Sequence, residues 1–344
     1  MTKEVILTGI RSNEEPTLGN YLGAFLPMVK LQREKSSDYQ INMFVPDLHS
    51  FTTPINHHEL YVNTIKNLKY FVASGLDINN QNTYIYRQSY IPAHSEMTWI
   101  LSCFTGFGEA SRMVEFKDKA TQIGDDRVSV GLFNYPILMA ADILLYDAKW
   151  VPVGEDQRQH LELARNLAER INNKFGETFI VPESINKQTE FTGNQEPLRI
   201  RSLRNPDKKM SKSISDPAGT ILLNDIPNEA AKKVMSSTTD SVGVINYDFN
   251  NQPGISNLLV ILSQLKGLEL NETIYYWTGK NSYGDLKKEV AGAVEEFLTN
   301  FQNNYSKINE DELYLKLESS EVIMNKIANE KLYKVQKLVG LRPV

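Results

Sequence analysis

Residues 5–33 read VILTGIRSNEEPTLGNYLGAFLPMVKLQR, and this stretch decides the class of fold. The short apolar run at 5–8 predicts a buried strand, and the apolar side chains at helical spacing within 20–33 predict a helix. A polar, glycine-containing turn joins the two. Further strands predicted at 42–45 and 83–87 alternate with a helix predicted at 57–74. This β-α-β-α-β order is typical of a parallel sheet covered by helices, which is an α/β fold.

The chain changes character near residue 219. A largely apolar helix at 135–146, a short strand at 150–153 and an amphipathic helix at 157–175 continue the alternation. Beyond Gly219 we predict no strands. Apolar residues instead recur at helical spacing, at Leu313, Leu317, Ile323, Ile327, Val335 and Leu338. We therefore predict an α/β domain over residues 1–218 and an α-helical domain over residues 219–344.

Composition excludes several classes of protein. The 344 residues include 37 Lys and Arg against 42 Asp and Glu, a net charge of −5, and 41% are hydrophobic, which excludes disordered and fibrous chains. The one cysteine permits no internal disulfide and fits a reducing compartment. We find neither a signal-peptide core nor a transmembrane segment, so we expect a cytoplasmic protein with no membrane partner. A local basic patch could still bind RNA.

The first candidate for chemistry is the turn Thr17-Leu18-Gly19-Asn20, between the first strand and the helix that follows it. In a doubly wound sheet this position is a usual nucleotide site. The backbone N–H groups at a helix start attract phosphate, and a glycine lets a ligand approach closely. Taken alone, the same residues are also compatible with an ordinary helix start.

The second candidate is the segment Lys209-Met210-Ser211-Lys212-Ser213. It ends a stretch, 199–212, that contains six basic residues and one acidic residue and is bounded by Gly and Pro. Two ammonium groups three residues apart on such a loop can match the charge that grows on a departing pyrophosphate. The alternative for an arbitrary basic pentapeptide is a solvated loop.

Together, these two motifs resemble the paired signatures of the class I aminoacyl-tRNA synthetases. The turn at 17–20 is similar to the first signature in its tryptophan-branch form, and 209–213 matches the second. Two further segments, YPILMAADILLY at 135–146 and VPVGEDQ at 151–157, resemble the tryptophanyl-tRNA synthetase family. The resemblance runs from residue 5 to about residue 340.

The resemblance implies a Rossmann-like, doubly wound catalytic domain followed by an anticodon-binding helical domain. It also implies two steps: the carboxylate of tryptophan attacks the α-phosphorus of ATP, and the 2′-hydroxyl of the terminal tRNA adenosine then takes the aminoacyl group. Positioning and stabilisation of negative charge supply most of the acceleration in such a displacement. We expect Mg2+ to arrive with ATP rather than in a protein cage, and we expect no structural metal.

Carried over residue by residue, the resemblance assigns catalytic roles to Thr17, Asn20, Lys119, Lys209 and Lys212. It assigns ATP contacts to Arg11, Thr17, Gly19, Asn20, Gly154, Asp156, Lys209, Met210, Ser211, Lys212 and Ser213. Lys119 could equally be a solvated helix charge. One stretch departs from the family pattern, since residues 11–16 replace the usual Gln-Pro-Ser-Gly, and the glutamates there would repel a triphosphate unless they point outward.

Selection of tryptophan requires an acceptor for the indole N–H, because indole offers a donor only. Asp142 fits this role, since a carboxylate in an apolar helix is costly unless it is paired, although a buried Asp can also cap backbone. By the resemblance, the tryptophan site also contains Leu7, His49, Tyr135, Met139, Val151, Val153 and Gln157. Tyr135 and Gln157 would hold the ammonium group. His49 could equally be an ordinary loop histidine, and the apolar residues plain core.

The expected partners are ATP, L-tryptophan and tRNA(Trp). The resemblance implies a homodimer formed through the region around residues 75–135, with a helical insertion at about 105–135, and a signature loop at 207–214. Three alternatives stay open: a tyrosyl-tRNA synthetase, a catalytically silent paralogue that binds tryptophan or tRNA, and another nucleotidyltransferase such as pantothenate synthetase. The segment at 151–157 favours tryptophan over tyrosine.

Overall fold

The computed structural model describes residues 3–10, 15–52, 55–113, 128–154, 157–193, 198–210 and 216–343. Its centre is a sheet of four strands: β1 (Val5–Gly9), β2 (Gln40–Val45), β3 (Thr83–Arg87) and β4 (Ala148–Trp150), in the order β3-β2-β1-β4. Each neighbouring pair is parallel, as strands joined by helical crossovers require. The predicted α/β fold with a parallel sheet is confirmed, and the third strand has the predicted bounds.

Helices make up most of the rest of the described chain. Those before β4 are α1 (Leu18–Asn20), α2 (Leu26–Lys35), α3 (Asp47–Ser50), α4 (Leu60–Ala73), α5 (Ala93–Ser102), α6 (Phe107–Ala110) and α7 (Val130–Leu144). Those after it are α8 (Arg158–Phe175), α9 (Ile185–Phe191), α10 (Pro227–Met235), α11 (Pro253–Lys266), α12 (Leu270–Trp277), α13 (Tyr283–Ser306) and α14 (Glu310–Leu338). No helix in the part of the chain that the structure describes is long and apolar enough to cross a membrane.

Alternate residues of the strands point into two separate cores. Ile6, Met43 and Ile85 enter one core, which is covered by α2, α4, α10, α11 and α13. The next residue of each strand, Leu7, Phe44 and Tyr86, enters the other core, which is covered by α5, α7 and α8. Because successive side chains of a strand point to opposite faces, both faces of this sheet are buried. The doubly wound arrangement is confirmed.

The helix after β1 contains an irregular turn that periodicity does not reveal. A π-helical turn, Tyr21–Phe25, lies between α1 and α2, and the Leu26 N–H donates to the carbonyl of Tyr21, five residues earlier. Pro27 has no N–H for the carbonyl of Gly23, and its ring would crowd that carbonyl in a regular helix, which explains the widened turn. The helix predicted at 20–33 exists, begins two residues earlier and carries this bulge.

The fourth strand lies earlier than predicted. We predicted a strand at 150–153, whereas β4 ends at Trp150. One residue later, the N–H of Val151 donates to the side-chain oxygen of Gln188 at 2.9 Å instead of to a neighbouring strand. A side chain of α9 thus replaces the strand ladder, and the chain leaves the sheet at that point.

The buried face of α14 is also only partly as predicted. Leu313, Leu317 and Val335 are buried, but Ile323 is 42% exposed. The buried positions of this turn of the helix are instead occupied by Ser320, Glu321 and Met324. Two of these three are polar, so apolar periodicity alone could not identify them.

Helix α11 is hydrogen-bonded to the basic stretch that follows Leu198. Asn257 is buried, accepts a hydrogen bond from the N–H of Arg201 at 2.8 Å and donates to its carbonyl at 3.0 Å. The first turn of α11 lies against the backbone of Thr238, so closely that a Cβ at Gly254 would meet the Thr238 carbonyl oxygen at 2.2 Å. Only a glycine fits there.

Two glycine-to-alanine substitutions are therefore expected to have opposite effects. Gly254→Ala should lower the free energy of unfolding by about 1–3 kcal/mol, because the methyl group displaces the backbone at Thr238. Gly292→Ala, on α13, should raise it by about 0.5–1 kcal/mol, because a Cβ there meets nothing within 4 Å and alanine is the better helix former. Urea unfolding of the two variants measures both changes, and a stabilised Gly254→Ala variant would contradict the packing described.

Candidate active site

The turn after β1 is held by its own side chains. The Thr17 hydroxyl oxygen accepts from the N–H of Asn20 at 3.1 Å, and the Asn20 side-chain oxygen accepts from the N–H of Thr17 at 2.9 Å. The Thr17 hydroxyl also donates to that side-chain oxygen at 3.0 Å. This reciprocal capping box fixes the helix start. Of the two side chains predicted to bind phosphate, Asn20 keeps its amide NH2 as a donor, whereas the hydroxyl hydrogen of Thr17 is engaged within the turn.

The structure brings the first signature against the second. A Cβ built on Gly19 would lie 3.5 Å from Cβ of Ile200 and 3.7 Å from Cβ of Met210, so a small residue is needed for this approach. The Leu18 N–H donates to the carbonyl of Ile221 at 2.8 Å. The turn at 17–20 is therefore bonded to the chain that follows the second signature and packs on its methionine.

The start of the second signature has a defined backbone. Arg201 and Lys209 form an isolated antiparallel bridge, and the N–H of Met210 donates to the carbonyl of Ile200 at 2.9 Å. The Met210 side chain is buried, whereas Lys209 is exposed. The buried methionine thus anchors the loop and leaves the neighbouring ammonium group in solvent, where a phosphate can reach it. The other predicted ATP-site residues Arg11, Lys119, Asp156, Ser211, Lys212 and Ser213 lie outside the described residues.

Asp142 is the centre of a buried hydrogen-bond cluster. It lies near the end of α7 and has no exposed surface. Its Oδ1 accepts from Nε2 of Gln88 at 2.6 Å and from Nδ1 of His94 at 2.6 Å, and its Oδ2 accepts from Nε2 of His49 at 2.8 Å. On the far side of the His94 ring, Nε2 accepts from the hydroxyl of Tyr146 at 2.9 Å. Because Nδ1 of His94 faces a carboxylate, which can only accept, the proton of the neutral ring is assigned to Nδ1.

These contacts keep Asp142 ionised. Burial by itself opposes ionisation, but the hydrogen bonds from His49 and His94 outweigh it and lower the pKa of Asp142 from 3.8 to about 2. Because this pKa is lower in the folded chain than in the unfolded chain, the cluster stabilises the fold above about pH 4. That contribution is lost as the pH falls towards 2. At neutral pH Asp142 is a pure hydrogen-bond acceptor.

The partners of Asp142 come from the carboxyl ends of neighbouring strands. His49 lies on α3, just after β2, and Gln88 follows β3 directly. His94 lies on the first turn of α5, a few residues further on. The turn at 17–20 follows β1 and belongs to the same edge. In open parallel sheets ligands bind outside the carboxyl ends of the strands, so the predicted ATP and tryptophan residues share the edge where such a site is expected.

Tyr135 and Gln157, predicted to hold an ammonium group, are joined by a histidine. Nε2 of His160 lies 3.1 Å from the Tyr135 hydroxyl, and Nδ1 of His160 lies 2.8 Å from Oε1 of Gln157. His160 has no exposed surface. Since the Gln157 oxygen can only accept, Nδ1 of His160 donates and Nε2 accepts from the tyrosine. The buried histidine therefore holds both side chains in one arrangement.

The apolar residues predicted for the tryptophan site belong to a single core. Leu7 and Val151 are buried in the core that contains Phe44 and Ile143, and Met139 and Val153 pack against it while keeping some exposure. The carbonyl of Gly154 accepts from the N–H of Gln157 at 3.0 Å, which joins the segment after β4 to the start of α8. The structure brings these residues together on the side of the sheet where Asp142 lies.

Sequence reasoning missed several members of the site: Gln88, His94, Tyr146, His160 and the contact between Asp47 and Ser89. In that contact the N–H and the hydroxyl of Ser89 both donate to the Asp47 carboxylate. A usable signal was present, because Gln88 directly follows a predicted strand, at its carboxyl end, and His94 lies a few residues further on. The described residues contain no group of three or more His, Cys, Asp or Glu side chains that could hold a metal ion.

Comparison with known proteins identifies the family to which the chain belongs. A family model described as tRNA synthetases class I (W and Y) matches residues 2–299. The tryptophan–tRNA ligase of Caldanaerobacter subterraneus subsp. tengcongensis is 44% identical over 336 residues, which cover 98% of this chain and 98% of that protein. The tryptophan–tRNA ligase of Clostridium perfringens is 41% identical and covers 99% of this chain and 98% of that protein.

Solved structures agree with the sequence comparisons. Tryptophanyl-tRNA synthetase from Mycoplasma pneumoniae superposes with a TM-score of 0.81 at 33% identity, over 99% of both chains. The enzyme from Campylobacter jejuni, in complex with ADP and tryptophan, superposes with a TM-score of 0.76 at 30% identity, over 98% of this chain and 99% of that one. The family predicted from the sequence motifs is confirmed. The chain belongs to the class I tRNA synthetases of the tryptophan and tyrosine (W and Y) family.

Proposed function

We propose that this chain is a tryptophan–tRNA ligase. In the first step, a carboxylate oxygen of L-tryptophan bonds to the α-phosphorus of ATP as the bond to the bridging oxygen breaks and pyrophosphate leaves. In the second step, the 2′-hydroxyl of the terminal adenosine of tRNA(Trp) attacks the carbonyl carbon, and AMP leaves. The observation that carries the proposal is the buried, ionised Asp142, and the names of the relatives support the same conclusion.

Asp142 suits an indole N–H because one acceptor position is left on its carboxylate. The two oxygens offer about four lone-pair sites, and three donors occupy three of them. The donors on Oδ1 are fully buried, whereas the His49 side chain on Oδ2 is 19% exposed, so Oδ2 is the oxygen that a ligand can reach. Phenylalanine has no N–H to fill this position and would leave the acceptor desolvated and unpaired, which disfavours it strongly.

On the nucleotide side we assign phosphate contacts to Asn20, Lys119, Lys209 and Lys212, with Thr17 shaping the turn. Gly19 leaves room for the nucleoside, and the remaining contacts are Arg11, Gly154, Asp156, Met210, Ser211 and Ser213. Exposure of Lys209 next to the buried Met210 supports this assignment. Mg2+ enters as the ATP complex, because that ion keeps its waters and prefers phosphate oxygens. The hydroxyl of Tyr135 and the amide of Gln157 take the ammonium group.

For the assembly we propose a cytoplasmic homodimer whose helical part, residues 219–344, contacts the anticodon of tRNA(Trp). The predicted dimer region, 75–135, is supported by large apolar side chains that are exposed in the single chain. Trp99 is 71% exposed, Phe107 78% and Val130 75%. Large apolar side chains that are exposed in this way are candidates for a protein interface.

The proposal is tested by ATP–pyrophosphate exchange with each of the twenty amino acids, without tRNA. We expect exchange with tryptophan alone, because adenylate formation needs only ATP and the amino acid. Exchange with tyrosine instead would identify a tyrosine enzyme. No exchange with any amino acid would contradict the proposal and favour a silent paralogue. Transfer to tRNA(Trp) is then followed with labelled tryptophan.

Asp142→Asn is expected to weaken discrimination against phenylalanine and tyrosine by about ten- to a hundredfold, since the charged acceptor is lost. The KM for ATP should change less than twofold. The matched control is Asp240→Asn, which alters another hydrogen-bonded carboxylate, one that accepts from Gln252 and Tyr283 in the helical part of the chain, and it should leave amino-acid selectivity unchanged. Amino-acid selectivity that survives Asp142→Asn would place the indole acceptor elsewhere.

Lys212→Ala is expected to slow adenylate formation by about a hundredfold while tryptophan affinity stays nearly unchanged, because the ammonium group acts on transition-state charge. Single-turnover kinetics measure the rate, and equilibrium titration measures the affinity. Lys208→Ala removes the same charge from an exposed position just before the signature and should have little effect. Equal losses of rate and affinity in Lys212→Ala would contradict the role.

A further inference from the structure

The strand β3 lies at the edge of the sheet, and α14 covers that edge. In the order β3-β2-β1-β4, one side of β3 has no neighbouring strand among the described residues. Its outward N–H groups are nevertheless satisfied. The N–H of Ile85 donates to the hydroxyl oxygen of Ser320 at 3.2 Å, and the N–H of Arg87 donates to Oε1 of Glu321 at 3.1 Å. Side chains of α14 thus take the place of a fifth strand.

Glu321 also binds the side chain of Arg87 in a bidentate ion pair. Nε of Arg87 lies 2.6 Å from Oε1 and Nη2 lies 2.7 Å from Oε2. Both residues are buried. The guanidinium stacks on the ring of Tyr90, 3.4 Å from the ring centre. A planar, two-bond pair of this kind fixes orientation as well as distance.

The segment held by α14 carries one of the donors to Asp142. Gln88 directly follows Arg87, and its Nε2 donates to Oδ1 of Asp142 at 2.6 Å. On the other side of Gln88, the carbonyl of Tyr90 accepts from the side-chain amide of Asn325, also on α14, at 2.9 Å. Residues 85–90 are therefore bonded to α14 before and after Gln88, and the position of the Gln88 amide depends on that helix.

The Gln88 amide is not held through its own oxygen. Its side-chain oxygen is buried and has no hydrogen-bond partner in the described part of the chain. Rotation of the amide would turn that oxygen towards the Asp142 carboxylate and place two acceptors in contact. The backbone position is thus what keeps the NH2 group directed at Asp142, and it is set by Arg87 and Tyr90 from the side of α14 and by Ser89, which donates to Asp47, from the side of α3.

We propose that Glu321 is a positioning residue for the selection of tryptophan. Acting through Arg87, it fixes the Gln88 amide and thereby the orientation of the Asp142 carboxylate that receives the indole N–H. The inference rests on the proposed function, and it extends the amino-acid site into α14, a helix far along the chain from every residue assigned to tryptophan above. Glu321 touches no substrate.

The test compares Glu321→Met, Arg87→Met and the double variant, with Glu318→Gln as a matched control. Glu318 lies one turn earlier on α14 and is exposed, so its substitution removes a carboxylate from the same helix without disturbing the pair. Each single variant should unfold at a lower temperature, because one buried charge loses its partner. The double variant should regain part of that loss, since both charges are gone, while the N–H of residue 87 still lacks its acceptor.

The KM for tryptophan in pyrophosphate exchange should behave differently from the unfolding temperature. We expect it to stay about tenfold above the wild-type value in the double variant, with reduced discrimination against phenylalanine, because residue 87 no longer anchors the backbone directly before Gln88. The KM for ATP should change less than twofold in all variants. A double variant that regains both the unfolding temperature and the wild-type KM for tryptophan would show a role in stability alone and would overturn the inference.

Failure of the proposed function gives a different result. In that case the wild-type chain itself shows no exchange with tryptophan, whatever the variants do. Calorimetric titration with tryptophan then decides the inference separately. A double variant that binds tryptophan about tenfold more weakly than wild type and Glu318→Gln supports it, and equal affinities, or no binding by the wild-type chain, overturn it.

Discussion

The structure depends on keeping one carboxylate ionised in the interior. Asp142 has no exposed surface, and burying an unpaired charge would cost several kcal/mol. Three donors from α3, the end of β3 and α5 remove that cost, and they can meet only if β2, β3 and α7 are in register at one edge of the sheet. The polar cluster therefore specifies the arrangement of the surrounding elements as well as a binding site. A folded chain without these donors would protonate the aspartate and lose the acceptor.

The helical part of the chain completes the α/β part instead of standing apart from it. Helix α14 contributes to both cores and satisfies the open side of β3, and α11 holds Arg201 through Asn257. The turn at 17–20 is bonded to Ile221 and packs on Met210. The two ends of the candidate site, for nucleotide and for amino acid, are thus each supported by residues that follow Leu198. The boundary predicted at residue 218 stays a prediction, and these contacts cross it.

The sequence predicted the fold well where the pattern was local and apolar. The strand at 83–87 and the helices predicted at 57–74 and 157–175 are recognisable because their apolar residues repeat at the period of the element. The errors occurred where a side chain altered the backbone. Gln188 ends β4 early, Pro27 widens the turn before α2, and polar residues line the buried face of α14. In each case a specific hydrogen bond or a missing N–H outweighed the local preference.

By itself, the sequence determined the class of the fold, the two signatures and the central place of Asp142, because these depend on residue type and spacing along the chain. It did not reveal Gln88 or His94 as partners of Asp142, His160 as the link between Tyr135 and Gln157, or the pairing of Arg87 with Glu321, 234 residues apart. Apart from the bond between Gln157 and His160, those contacts join residues that are distant in sequence. Only the tertiary structure decides them, since the cost of burying a polar group is met by whichever partner the packing of the sheet and helices brings within hydrogen-bond distance.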